Sequence, residues 1–230
     1  TAKPKYILPK YFYDAQGSIL FDQITDQPEY YVTRTELSLL ERIAPELIRL
    51  TMPREILEIG SGSSRKFQML LNALPSEVKI QRYLPFDVSK GALMSAADSL
   101  LSRYNWLEIH GIIGDFERHL DMVPPSIDSR LILFLGSTLG NLEASQRLEV
   151  LTNIAALLKP GDYFLLGVDL VKNKSTLEAA YDDAKGVTAQ FNQNILSVMN
   201  SQLGANFIPA AFKHHAFYNS FKARIEMHLL

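Results

Sequence analysis

Glu58-Ile-Gly-Ser-Gly-Ser-Ser64 stands where an apolar run (Ile56, Leu57, Ile59) meets a stretch with helical spacing over 66–74. A strand that turns on glycines into a helix presents free backbone N–H groups and the positive end of the helix dipole, and the glycines let a ligand approach the backbone closely. The stretch therefore points to a nucleoside-bearing cofactor. The dinucleotide fingerprint G-x-G-x-x-G is not met. Counted from Gly60, its third glycine position holds Arg65, whose side chain is expected to crowd the helix against the sheet.

On either side of this turn, short apolar strands alternate with helices. Strands are expected at 54–59, 81–86, 107–113, 130–135 and 162–168, and helices at 64–74, 90–102 and 144–158. That alternation builds an α/β fold, a doubly wound, mostly parallel, Rossmann-like sheet covered on both faces. Ser89 is placed to cap the helix from Lys90, and Pro160-Gly161 to close the helix that ends near Leu158. Residues 1–50 read as an N-terminal helical cap, with a Pro- and Tyr-rich opening (Pro4, Tyr6, Pro9, Tyr11, Tyr13) and helical spacing over 17–24 and 34–50. The Rossmann-like core takes 51–170. An α+β segment takes 171–230, with helical stretches at 175–184 and 187–203 and candidate strands at 212–218 and 224–230.

Composition narrows the partners. With 23 Lys and Arg against 25 Asp and Glu, and no run of five or six like charges, neither a nucleic-acid stripe nor a polybasic membrane patch is suggested, so a small molecule is the expected partner. The absence of cysteine removes disulfides, thiolate nucleophiles and cysteine zinc sites, and fits a reducing cytoplasm. Apolar runs such as 131–135 are too short to span a bilayer and the chain shows no signal-peptide pattern, so a cytoplasmic protein is expected. His110, His119, His214, His215 and His228 have no metal-triad spacing; they read as surface or loop residues and no metal is expected.

Two further strand ends extend the glycine turn. Asp87 closes 83–87, where a carboxylate can accept hydrogen bonds from both hydroxyls of a ribose. Gly114-Asp115-Phe116 offers a carboxylate for an adenine amino group and a ring to pack on the base. Each has a plainer alternative: a simple turn at Gly60 and Gly62, a helix cap at Asp87, loop and core at Asp115 and Phe116. Together they mark one crevice at the carboxyl edge of one sheet. The acidic residue two before the first glycine, E-x-G-x-G, resembles the first motif of S-adenosylmethionine-dependent methyltransferases.

Longer stretches carry a closer resemblance: Tyr11-Phe-Tyr-Asp14, Gly17-Ser-Ile-Leu-Phe-Asp-Gln-Ile24, Pro28-Glu-Tyr-Tyr31, Phe134-Leu-Gly-Ser-Thr-Leu-Gly-Asn141, Tyr181-Asp-Asp183, Gly186-Val-Thr-Ala-Gln-Phe-Asn192 and Arg224-Ile-Glu-Met227. Over nearly its whole length the chain resembles the histidine Nα-methyltransferases of ergothioneine biosynthesis, which convert L-histidine to its trimethylbetaine, hercynine. The resemblance implies that Gly60, Lys66, Asp87, Asp115 and Phe116 hold S-adenosyl-L-methionine. It implies that Tyr30, Asn141 and Tyr181 hold the amino acid, with Tyr13 near the pocket. No acid or base catalyst is implied; the tyrosines and Asn141 position the amine. The alternatives for these residues are core packing for the tyrosines and an Asx-type cap for Asn141, before a helix beginning near Glu143.

Members of that family run further. In them the region after the fifth strand is a substrate lid, and later residues include a Glu and a Ser that grip the imidazole before the chain returns to the core sheet. This sequence opens at Thr1, and a piece of a longer protein or a natural short form is expected, one that binds cofactor but turns histidine over slowly. The strands at 212–218 and 224–230 could close the core sheet, while the resemblance assigns them to the lid. If they belong to the lid, Ile225, Met227 and Leu229 alternate along an exposed edge, and the chain is a monomer or pairs through that edge. Two other functions stay open: methylation of another amino acid's amine, such as a tryptophan derivative, and a catalytically silent cofactor-binding module.

Overall fold

The computed structural model of the chain describes residues 5–75 and 79–230; Pro4 of the opening stretch lies outside them. The chain forms two compact units, one of Thr35–Asp169 and one that gathers the residues up to Arg34 with Leu170–Leu230.

In the first unit, β1 (Glu55–Ile59), β2 (Arg82–Asp87), β3 (Glu108–Ile109), β4 (Ile112–Ile113), β5 (Arg130–Phe134) and β6 (Tyr163–Leu166) form one sheet. Its order is β3-β2-β1-β5-β6 with β4 also on β2, and every pairing is parallel. This is the doubly wound α/β sheet expected from the sequence. The strand expected at 107–113 is broken at His110-Gly111, beside Pro85 of β2, which has no N–H to give the ladder. β1 and β5 are buried at every position, as strands covered on both faces must be.

Successive side chains of β1 point to opposite faces. Ile56 joins Tyr83 and Leu131 in one core with Leu40, Ala44 and Ile48 of α2 (Tyr31–Thr51) and Phe67, Leu70 and Leu71 of α3 (Arg65–Asn72). Leu57 and Ile59 join Leu84, Phe86, Ile132 and Phe134 under Val150 and Ile154 of α5 (Ala144–Ala156). At the amino edge of the sheet the buried carboxylate of Glu55 is clamped by two arginines from neighbouring strands. Arg130 Nε lies 2.5 Å from it, Arg82 pairs with its other oxygen, and the two guanidinium groups also donate to the carbonyls of Pro124 and Pro125.

The second unit packs α1 (Ala15–Thr25) on α7 (Val187–Leu203), with α6 (Lys174–Ala179) and a hairpin of β7 (His214–Asn219) and β8 (Arg224–Leu229). Asp14 caps α1 through the N–H of Gly17, and Gly17 cannot carry a side chain because its Cβ would fall 1.7 Å from the carbonyl oxygen of Phe12. β7 and β8 pair with each other in a separate two-stranded sheet, so they do not close the core sheet. Met227 packs on the cluster around Tyr30 and Phe191, and Leu229 on Ile195, Leu196 and Val198. Among the described residues no helix is long and apolar enough to cross a membrane.

Candidate functional site

Because the strands are parallel and in register, with Ile59 opposite both Phe86 and Phe134 and Asp87 opposite Ile113, their carboxyl ends share one edge. β1 lies between β2 and β5, where the chain winding reverses, and that is where sheets of this kind bind ligands. Gly60 and Gly62 both take positive φ, at +70° and +50°. Among the described residues beyond its chain neighbours, a Cβ at Gly62 would meet no atom within 4 Å, and one at Gly60 would meet only Thr138 Oγ1 at 3.9 Å. The turn is thus an open cradle, and beside it the buried hydroxyl of Ser61 has no hydrogen-bond partner among the described residues. An open glycine cradle with an orphaned polar atom fits a polar ligand laid on the backbone.

Asp87 completes the cradle. Its Oδ2 accepts from the N–H of Gly62 at 3.0 Å and its Oδ1 from the N–H of Ser89 at 2.9 Å, while Ser89 itself caps α4 (Lys90–Arg103) through the N–H of Ala92. Asp87 therefore braces the turn and does not cap the helix. Asp115 accepts from the N–H of Glu117 at 3.0 Å, and the ring of Phe116 meets Phe134 edge-on at 5.2 Å. Gly114 is required there, since a Cβ would fall 2.9 Å from the Phe86 ring. Lys66, on the first turn of α3, forms an ion pair of 2.6 Å with Glu36.

Arg65 is exposed on the helix and does not crowd the sheet. The residue that packs inward is Ser64, fully buried at φ +55°, with its hydroxyl 2.9 Å from that of Tyr83. Tyr83 in turn donates to Glu58. Burial pushes the Glu58 carboxyl up to about 7, against the lowering pull of the Tyr83 hydrogen bond and of Lys66, and with Asp87 and Glu36 adding to the rise. A buried Glu58–Tyr83–Ser64 chain thus lies under the glycine turn.

Asn141 ends a 3-10 turn, Thr138–Asn141, that follows β5, and it is exposed. It does not cap α5, which is opened by Glu143 with its N–H on Gln146 Oε1 at 3.1 Å. In the other unit, Tyr13, Tyr30 and Tyr181 share one aromatic cluster. Tyr30 is buried and meets Tyr181 edge-on at 5.8 Å, and Phe21 bridges Tyr30 at 6.2 Å to Tyr13 at 5.4 Å. The structure therefore gathers the three tyrosines in one unit, and Gly60, Lys66, Asp87, Asp115, Phe116 and Asn141 along one sheet edge in the other.

The backbones at buried Tyr30 and half-buried Tyr181 are held by Arg34 and His214. Arg34 donates to the carbonyls of Gln27, Pro28 and Tyr30 at 2.7–3.2 Å. His214, expected at the surface, is instead buried in β7. Its Nε2 faces the Tyr181 carbonyl at 2.9 Å and its Nδ1 the amide nitrogen of Asn192 at 2.9 Å. A carbonyl can only accept and an amide NH2 only donate, so the neutral ring carries its proton on Nε2. Asp183 accepts from the N–H groups of Val187 and Thr188; burial raises its carboxyl, but hydrogen bonds from Thr188 and Val187 outweigh that and hold it below the usual range. Among the described residues no His, Cys, Asp and Glu group is placed to hold a metal ion.

Comparison with known proteins places this architecture. The family model described as histidine-specific, SAM-dependent methyltransferase matches residues 1–230. The chain is 49% identical over 229 residues to the histidine N-alpha-methyltransferase of Mycolicibacterium smegmatis, covering 100% of this chain and 71% of that one. It is 31% identical to ergothioneine biosynthesis protein 1 of Schizosaccharomyces pombe, over 84% of this chain and 26% of that one. It is 28% identical to a 4-dimethylallyltryptophan N-methyltransferase of Claviceps purpurea, over 80% of this chain and 53% of that one. The chain belongs to the histidine-specific, S-adenosylmethionine-dependent methyltransferase family.

Proposed function

We propose that the protein transfers methyl groups from S-adenosylmethionine to the α-amino group of L-histidine, giving hercynine in the ergothioneine pathway. The observation that carries this is the 49% identity over the whole chain to a histidine N-alpha-methyltransferase, beside an open glycine cradle braced by Asp87. When bound, the cofactor supplies an electrophilic methyl group on a sulfonium. Gly60, Lys66, Asp87, Asp115 and Phe116 hold it; Tyr30, Asn141 and Tyr181 hold the amino acid, with Tyr13 supporting Tyr30 through Phe21.

Methyl transfer needs little proton chemistry, and holding a neutral amine in line can supply roughly 7–11 kcal/mol of barrier lowering. Neutral partners suit that task. Tyr and Asn side chains can orient an α-amine and α-carboxylate without fixing a proton on the nitrogen, and burial disfavours the ammonium form. Each transfer to a neutral amine releases the thioether and leaves an ammonium that gives its proton to solvent before the next; the ring faces of the Tyr30–Tyr181 pair suit the quaternary ammonium left by the third, a contact of about 1 kcal/mol. The substrate histidine and a cytoplasmic setting are part of this proposal, as is the division into N-terminal cap, core and lid.

The 28% identity to a tryptophan-derivative N-methyltransferase keeps a second substrate class in view. Incubation with S-adenosylmethionine and a panel of free amino acids, read by mass spectrometry, decides between them. The proposal expects gains of up to three methyl groups on histidine alone. Gains confined to a tryptophan derivative would replace histidine as the substrate, and no gain on any amine with the cofactor bound would leave a silent binding module.

A further inference from the structure

We propose that Glu36 is a positioning residue that ties Lys66 to the turn carrying Asn141; this rests on the cofactor and substrate roles proposed for those two residues. Glu36 stands on α2, outside the glycine turn and outside every strand end. Its side chain is 16% exposed, and its two oxygens do different work: Oε2 lies 2.6 Å from Lys66 Nζ, and Oε1 accepts the N–H of Gly136 at 2.7 Å. One carboxylate thus bridges the head of α3 to the second residue after β5.

The surrounding backbone is shaped to this bridge. Gly136 takes φ +75°, and a Cβ there would lie 3.1 Å from Lys66 Nζ. At Gly167, just past β6, a Cβ would fall 2.2 Å from Glu36 Oε1. Just past each of two neighbouring strands a glycine therefore stands where a side chain would press on one member of the pair or the other.

The consequence for Lys66 is a loss of rotamer freedom. A lysine has among the largest side-chain entropies to give up on ordering, so one already held in place meets an anionic group at a smaller further cost. The consequence for Asn141 is a fixed origin. The Gly136 N–H bond sets the start of the segment that runs through Ser137, also at positive φ, into the Thr138–Asn141 turn.

The two halves of the bridge separate by mutation. Glu36→Gln keeps an amide oxygen for Gly136 and removes the charge facing Lys66. It is expected to weaken S-adenosylhomocysteine binding about tenfold, leaving kcat within about threefold when both substrates saturate. Glu36→Ala removes both contacts and is expected to raise the histidine KM about tenfold as well. In a Lys66→Met background, Glu36→Gln is expected to add no further loss of cofactor affinity, because the two act through one contact. Should Glu36→Gln not fold, Glu36→Asp, one methylene too short to span both partners, is measured in the same way. Equal or tighter S-adenosylhomocysteine binding by Glu36→Gln, with Lys66→Met weakened, would overturn the role of Glu36 alone. No binding by the wild-type protein would overturn the cofactor reading beneath it.

Discussion

The Oδ2 of Asp87 accepts the N–H of Gly62 at 3.0 Å, so the carboxylate ending β2 and the glycine turn ending β1 form one rigid corner. Hydrogen bonds to a charged group contribute about 1.5–3 kcal/mol each. Asp87→Asn puts a neutral amide at this corner and is expected to weaken S-adenosylhomocysteine binding roughly 10- to 100-fold. Asn141→Ala should do the reverse, weakening histidine far more than the cofactor. Calorimetric titration of both ligands against both variants checks this, and equal losses for the two ligands would contradict the assignment.

Glu58 should make stability fall as pH rises. Its folded carboxyl sits at about 7 against an ordinary 4.5, so the folded state retains a proton that the unfolded chain has lost. Its contribution is fully present below about 4.5 and is lost by about 7, a change on the order of 3 kcal/mol. Glu58→Gln should flatten that slope in urea melts taken across the range. An unchanged slope would show that Glu58 is not the titrating group.

The Glu55 triad predicts a contrast between breaking and replacing. Glu55→Ala leaves Arg82 and Arg130 buried without their carboxylate and should cost about 3–5 kcal/mol. Replacing all three by apolar residues of similar size should cost far less, or stabilise. Chemical denaturation of the two variants tests this.

Arg34 and His214 should act on histidine binding through Tyr30 and Tyr181. Each bond to a carbonyl contributes about 1 kcal/mol, so Arg34→Met or His214→Phe should raise the histidine KM several-fold. The affinity for S-adenosylhomocysteine should stay unchanged. Equal effects on both ligands would mark general destabilisation instead.

The sheet was legible because five apolar runs separated by helical stretches leave few other folds, and Gly60, Asp87 and Asp115 could be placed at its edge from strand ends alone. The break at His110-Gly111 was not, since it depends on the missing N–H of a proline in a neighbouring strand. Glu55, Tyr83 and Glu36 were invisible for a related reason: their partners lie 25 to 100 residues away in sequence. For His214 a signal existed, since His214 and Ala216 alternate inward on β7. The exposure of Arg65 shows that the glycine fingerprint fails here without a steric clash; the contact on the sheet side is made one residue earlier, by Ser64.

The central claim, methylation of the α-nitrogen of histidine, is tested most directly by locating the methyl groups. L-histidine and Nα-acetyl-L-histidine are incubated with the protein and S-adenosylmethionine, and the products are fragmented by mass spectrometry. The account predicts up to three methyl groups on the α-nitrogen of L-histidine, whatever the rate, and none on the acetylated compound. Methyl groups on the imidazole ring, or on Nα-acetyl-L-histidine, would contradict it.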